Sequence, residues 1–162
     1  MNAKDIEALR AFYVENRQQL YTYAVSLTQS REAAEDAIQG VFEKLLRGTT
    51  LPHDLRPYVF RSVRNGALDG WRRAKVRLDS LFESAVTVDA TRPEVPPSSH
   101  PDDLDALLQQ LSADERDAIV LKTYSGLTFQ QIAQMREVPL PTVASWYRRG
   151  LEQLRSLLKE EL

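Results

Sequence analysis

The chain has no cysteine and only two histidines among its 162 residues. Without thiols there is no disulfide framework, no thiolate nucleophile and no cysteine-based zinc site, and the composition suits a reducing cytoplasm. His53 and His100 stand beside Pro52 and Pro101 in loop-like sequence, far apart along the chain, so no metal site is expected. A run of about 18 apolar residues, which a membrane-crossing helix needs, is also missing. Residues 1–10 carry acids and lack the apolar stretch of a secretory signal. The expectations are therefore a cytoplasmic location, no membrane insertion and no cofactor. Carboxylates, serines and histidines nowhere stand at spacings that would assemble a nucleophile with its base, so neither an enzyme nor a small-molecule substrate is expected.

Strong net charge is absent as well. The formal value of -2 gives no overall argument for nucleic acid, and only the distribution of charge is informative. Between residues 56 and 77 stand Arg56, Arg61, Arg64, Arg72, Arg73, Lys75 and Arg77 against the single acid Asp69. This is a local basic block in an otherwise acidic chain. With 43% apolar and 27% charged residues the whole has a globular balance.

Four of the eight prolines (Pro93, Pro96, Pro97, Pro101) fall in residues 84–101, together with Ser98 and Ser99. Helical periodicity is lost there, which reads as a linker between a domain at 1–83 and a domain at 102–162. Both flanking blocks carry apolar residues at three- and four-residue spacing, and neither alternates as strands do. An all-α fold of two small helical domains is expected. In the first block one or two helices span 5–27, Ser30 opens another to about residue 46 with Gly48 as its stop, and Arg56-Pro57 begins a third reaching about residue 75. In the second, 102–111 is a short helix, and Ser112 with Glu115 is a capping-box pattern opening a helix that Gly126 ends. Thr128 with Gln131 repeats the pattern and opens a short helix to about residue 136. A turn at 137–140 leads to Pro141 in the first turn of a final helix reaching about residue 159. Short helix, tight turn and longer helix form the grammar of a helix-turn-helix.

Three helical faces hold candidate chemistry. On the second helix Ile38, Val41, Phe42, Leu45 and Leu46 share one arc at 100° per residue, leaving Asp36, Gln39, Gly40 and Glu43 on the opposite side, a face suited to docking. On the third, Val59, Phe60, Val63 and Ala67 make an inner stripe, with Trp71 read as core or border. Tyr58, Arg61, Asn65, Asp69 and Arg72 line the outside. Guanidinium groups neutralise phosphates, an asparagine can bond a base edge in pairs, and an aromatic can stack on an unpaired base. On the final helix Val143, Tyr147, Gly150, Leu151, Leu154 and Leu158 are expected inside and Ser145, Arg148, Arg149, Glu152 and Arg155 outside. Thr142 and Ser145 then stand at the N-terminal turn, as in a recognition helix.

The segment Glu35, Asp36, Ala37, Ile38, Gln39, Gly40, Val41, Phe42 resembles the polymerase-binding segment of sigma region 2. Residues 56–73, from Arg56-Pro57-Tyr58 to Trp71-Arg72-Arg73, look like the promoter-melting segment of the extracytoplasmic-function (ECF) group of the sigma-70 family. Beyond the linker, residues 111–116 and 126–133 resemble region 4, with Thr142, Val143, Ala144 and Ser145 at its recognition helix. The resemblance covers nearly the whole chain in order. It implies core RNA polymerase as partner through Asp36, Gln39 and Glu43. It also implies promoter DNA as partner through Tyr58, Arg61, Asn65, Asp69, Arg72 and Arg73 in the first domain and Thr142, Ser145, Arg148 and Arg149 in the second. An anti-sigma factor is a further candidate partner. The chain departs from the family's usual leucine and glycine at Arg136 and Glu137, from glycine at Pro141, from lysine at Ala144 and from arginine at Trp146. Two alternatives stay open: a sigma-like mimic that binds an anti-sigma partner without reading DNA, and a stand-alone helix-turn-helix repressor.

Overall fold

The computed structural model describes residues 1–82 and 103–161. The expected linker at 84–101, and His100 with it, lie outside these. The described residues form α1 (Ala3–Thr28), α2 (Arg31–Arg47), α3 (Leu55–Phe82), α4 (Asp103–Gln109), α5 (Ala113–Ile119), a π-helical turn (Val120–Tyr124), α6 (Phe129–Arg136) and α7 (Leu140–Glu161). They fall into two compact units: α1, α2 and nearly all of α3 make the first, and α4 to α7 lie in the second.

In the first unit α1 is one helix, opened by the Asn2 side chain accepting the Asp5 N–H at 2.8 Å. It ends at Gln29, which is left-handed at φ 53°. Ser30 then caps α2 by accepting the Ala33 N–H, and Gly48 closes it as the sequence suggests. Leu9, Leu20, Tyr23 and Ala24 of α1 are buried, as are Ala34, Ala37, Ile38, Val41 and Leu45 of α2 and Val59, Phe60, Val63 and Ala67 of α3. Tyr23 and Phe60 meet with ring centroids 5.8 Å apart, and Tyr13 meets Phe42 edge-on at 5.0 Å. Burying a side chain such as Phe60 contributes about 1.5–3 kcal/mol.

Two expectations need correction here. Leu46 is 52% exposed rather than core, because it lines an open groove between α1 and α2 with Ile6, Tyr13, Ile38 and Phe42. Trp71 is 56% exposed, with the Lys75 ammonium 5.3 Å from its ring centroid. Helix α3 also runs past residue 75 to Phe82, and every residue from 71 to 81 is exposed. Its inner stripe has nothing to pack on there among the described residues of its unit.

In the second unit Arg116 donates from Nε to the Leu108 carbonyl at 3.0 Å and from Nη2 to the Leu111 carbonyl at 3.1 Å, satisfying acceptors at the end of α4. The Ser112 hydroxyl accepts the Glu115 N–H and opens α5. The helix widens into the π turn, where the Ser125 N–H reaches the Val120 carbonyl, and Gly126 follows at φ +66°, a conformation that favours glycine. Leu107, Leu111, Ile119, Leu121, Leu127, Ile132, Met135, Val143 and Leu154 supply the core. Gly150 lets α7 pass close to α5, since a Cβ there would stand 2.6 Å from Ile119 Cδ1 and 3.4 Å from Glu115 Cβ, so the Ile119 side chain would have to shift. Leu151 and Leu158, expected inside, are exposed. Leu158 lies beyond the last buried residue of α7, which has 22 residues against 7 in α5, whereas Leu151 flanks a stripe that is still buried at Leu154.

Candidate nucleic-acid interface

Helix α3 carries the larger surface. Pro57 sits in its first turn, where a missing N–H costs nothing, and burial of Val59, Phe60, Val63 and Ala67 fixes which side faces outward. Tyr58, Arg61, Asn65, Asp69, Arg72 and Arg73 are all exposed. At 100° per residue the first five of these share one ridge opposite the core. Arg72 Nη1 lies 3.8 Å from Asp69 Oδ1, a loose pair with side chains 73% and 57% exposed, worth little in stability. The ridge thus offers guanidinium groups, a carboxamide and a phenol to a partner without drawing on the core.

On α2, Asp36, Gln39, Gly40 and Glu43 are exposed at one-turn intervals. Gln39 Nε2 donates to Glu43 Oε1 at 3.0 Å, and nothing lies within 4 Å of where a Gly40 Cβ would stand. Gln39 and Glu43 also border the apolar groove that Ile6, Tyr13 and Leu46 line. Polar rim and apolar floor together suit a protein partner better than a solvated face does. Exposure of Leu46 is the part of this surface that helical periodicity misassigned.

The second unit holds the helix-turn-helix. A complete capping box opens α6: Thr128 Oγ1 accepts the Gln131 N–H at 3.1 Å and Gln131 Oε1 accepts the Thr128 N–H at 3.0 Å. The helix closes as a Schellman motif, with the Val138 N–H on the Ala133 carbonyl and the Glu137 N–H on the Gln134 carbonyl. This places Glu137 at φ 56°, where glycine is the usual occupant. The Thr142 N–H bonds the Pro139 carbonyl at 3.0 Å in the first turn of α7. Thr142 is half-buried on that turn and Ser145 on the next, and Arg148 and Arg149 are exposed beyond them.

Periodicity did not reveal an ion-pair cluster beside α7. Arg136, the last residue of α6, donates from Nη1 to Asp117 Oδ2 and from Nη2 to Asp114 Oδ1, both at 2.6 Å. Its side chain is 11% exposed, against 5% for Asp117 and 49% for Asp114. The guanidinium carbon lies 4.9 Å from the centroid of the Trp146 ring on α7. The sequence signal was available: two acids at i, i+3 on α5 and an unpaired-looking arginine closing α6.

Among known proteins, the model of sigma-70 region 2 matches residues 12–77 and that of sigma-70 region 4 matches residues 102–154. The ECF RNA polymerase sigma factor SigL of Mycobacterium tuberculosis is 30% identical, over 98% of this chain and 93% of its own length. The chain belongs to the ECF group of the sigma-70 family. The ECF sigma factor SigE of Mycolicibacterium smegmatis is 31% identical over 86% of the chain, which spans 57% of that longer protein. A solved structure of the sigma factor RpoE in complex with the anti-sigma factor NepR, from Bartonella quintana, shares the fold at a TM-score of 0.73 and 24% identity, covering 94% of this chain and 98% of its own. In this ECF family member the region 2 match contains the exposed faces of α2 and α3, and the region 4 match contains the helix-turn-helix and the Arg136 cluster. Among the described residues no helix is long and apolar enough to cross a membrane.

Proposed function

We propose that this chain binds core RNA polymerase and directs it to a particular set of promoters, acting as a cytoplasmic regulatory subunit with no catalysis of its own. The observation that carries the reading is the α3 ridge of Tyr58, Arg61, Asn65, Asp69 and Arg72, exposed along one helix within the region 2 match. Domain 1–83 docks on polymerase through Asp36, Gln39 and Glu43, and its α3 reads and opens the downstream (minus-10) element. Residues 84–101 link it to domain 102–162, which reads the upstream (minus-35) element through Thr142, Ser145, Arg148 and Arg149. Arg61, Arg72 and Arg73 neutralise phosphates, and Asn65 makes the base-edge contact. An anti-sigma factor that covers these faces is the further partner class. The mimic reading drew support from the unusual residues at Arg136 and Trp146, and the ion-pair cluster gives those residues a structural role instead.

The test is co-purification with core polymerase together with run-off transcription from a cognate promoter. Core and protein together initiate and neither does alone, while the Asp36→Arg/Gln39→Ala variant assembles poorly. Undiminished assembly by that variant sinks the docking assignment.

A further inference from the structure

The recognition helix must present its side chains to a groove at a fixed rotation about its own axis. It meets α5 in a close seam at Gly150, against Ile119 and Glu115, with Val143 and Leu154 of the same helix buried. Such a seam fixes the separation of two helices better than their rotation. Side-chain tips lie about 5–6 Å from a helix axis, so a rotation of about 10° moves them by about 1 Å. That is more than the width of a hydrogen-bond distance distribution, and paired contacts to a base edge lose their alignment.

A strongly directional group beside this seam is Arg136. Its two terminal nitrogens engage Asp114 and Asp117, one turn apart on α5, and its guanidinium carbon lies 4.9 Å from the centroid of the Trp146 ring. Trp146 is next to Ser145 and one turn beyond Thr142 on α7. A planar fork held at both ends cannot turn without breaking a charge-assisted bond, and a ring attracted to that fixed cation through its face is drawn toward one position. At 11% exposure the Arg136 side chain has little surface left to offer DNA itself. We infer that Arg136 is a positioning residue for upstream-element recognition, transmitting the rotation set by Asp114 and Asp117 through the Trp146 ring to Thr142, Ser145 and Arg149. Here the buried ion pair supplies register rather than net stability. This rests on the reading of the second domain as the minus-35 reader.

The experiment uses the full chain with core polymerase. It measures the ratio of initiation from a cognate promoter to initiation from the same promoter with its upstream element scrambled, at temperatures where circular dichroism shows each variant folded. Trp146→Phe, which keeps an aromatic face, holds the wild-type ratio. Arg136→Lys, which keeps the charge and loses the fork, and Trp146→Leu each lower it about tenfold, the loss of roughly one paired base contact, with downstream-element selection unchanged. If Arg136→Lys does not fold, Trp146→Leu against Trp146→Phe decides. The Thr142→Ala/Ser145→Ala variant separates the two ideas. If it lowers the ratio while Arg136→Lys and Trp146→Leu retain the wild-type value, the positioning role is overturned and the recognition helix stands. A wild-type ratio of one overturns both. A loss that disappears on cooling, in step with recovered stability, also overturns positioning, because it reports only a weakened fold.

Discussion

Replacing Arg136 by leucine restores the residue that the resemblance leads one to expect, yet it should destabilise the second domain severely. Asp117 is 5% exposed and would keep its charge without the guanidinium 2.6 Å away. Removing one member of a buried pair costs about 3–5 kcal/mol because an uncompensated charge stays behind. Asp114, 49% exposed, is solvated in either state and adds little. Against a stability of about 5–15 kcal/mol for a typical domain, the loss takes a large share of the total. The Asp117→Leu variant should cost less, about 1–3 kcal/mol, since Arg136 keeps Asp114 and partial access to water. The double variant Arg136→Leu/Asp117→Leu should lie closer to wild type than Arg136→Leu alone, giving a coupling energy of at least about 1 kcal/mol. The assay is urea unfolding followed by tryptophan fluorescence in a Trp71→Phe background. That background leaves Trp146 as the only indole of the two in the chain, so the signal reports the second domain. A loss under about 1 kcal/mol for Arg136→Leu, or a double variant equal to the sum of the singles, would refute the reasoning.

Asn65→Ala should cost about 1–3 kcal/mol of downstream-element discrimination in permanganate footprints of reconstituted polymerase. It should leave thermal unfolding nearly unchanged, whereas Phe60→Ala, at a fully buried site, should lose about 3–5 kcal/mol of stability. Gly150→Ala puts a Cβ against Ile119 and Glu115, and the overpacking should exceed the helix-propensity gain to leave a net loss of about 1 kcal/mol in urea unfolding. Glu137→Gly relieves a left-handed backbone and should raise stability by about 0.5–1 kcal/mol in the same measurement, and a lower midpoint would contradict that account.

Helix ends were legible in the sequence where the cap is a local matter. Ser30, Gly48, Gly126 and the Thr128–Gln131 box all sit where their own neighbours determine the geometry. So were the outward ridges of α2 and α3, because a 3.6-residue period fixes faces without reference to the partner. Periodicity failed at the flank of a stripe and where an apolar face outruns its support. Leu46 and Leu151 flank stripes that stay buried beside them at Leu45 and Leu154, whereas Trp71 and Leu158 lie where the buried stripe of their helix has ended. The π turn at Val120–Tyr124 and the meeting of Arg136 with Asp114, Asp117 and Trp146 depend on tertiary placement, which spacing along one helix does not encode. Of the candidate site, the polar faces were readable, and the groove floor and the clamp behind α7 were not.

Helix α3 has a mechanical consequence of its own. Its 28 residues make a rod of about 42 Å, with Phe60 and Val63 buried near one end and side chains exposed from 71 to 81. The packed half has already met the cost of nucleating the helix, so the exposed half extends it by propagation, one hydrogen bond per residue. Gly66 and Gly70 stand at the junction, the second with nothing within 4 Å of where its Cβ would be. Because one helix carries Arg72, Arg73, Lys75 and Arg77, its pitch alone fixes the spacing of the row of cations that a charged partner meets.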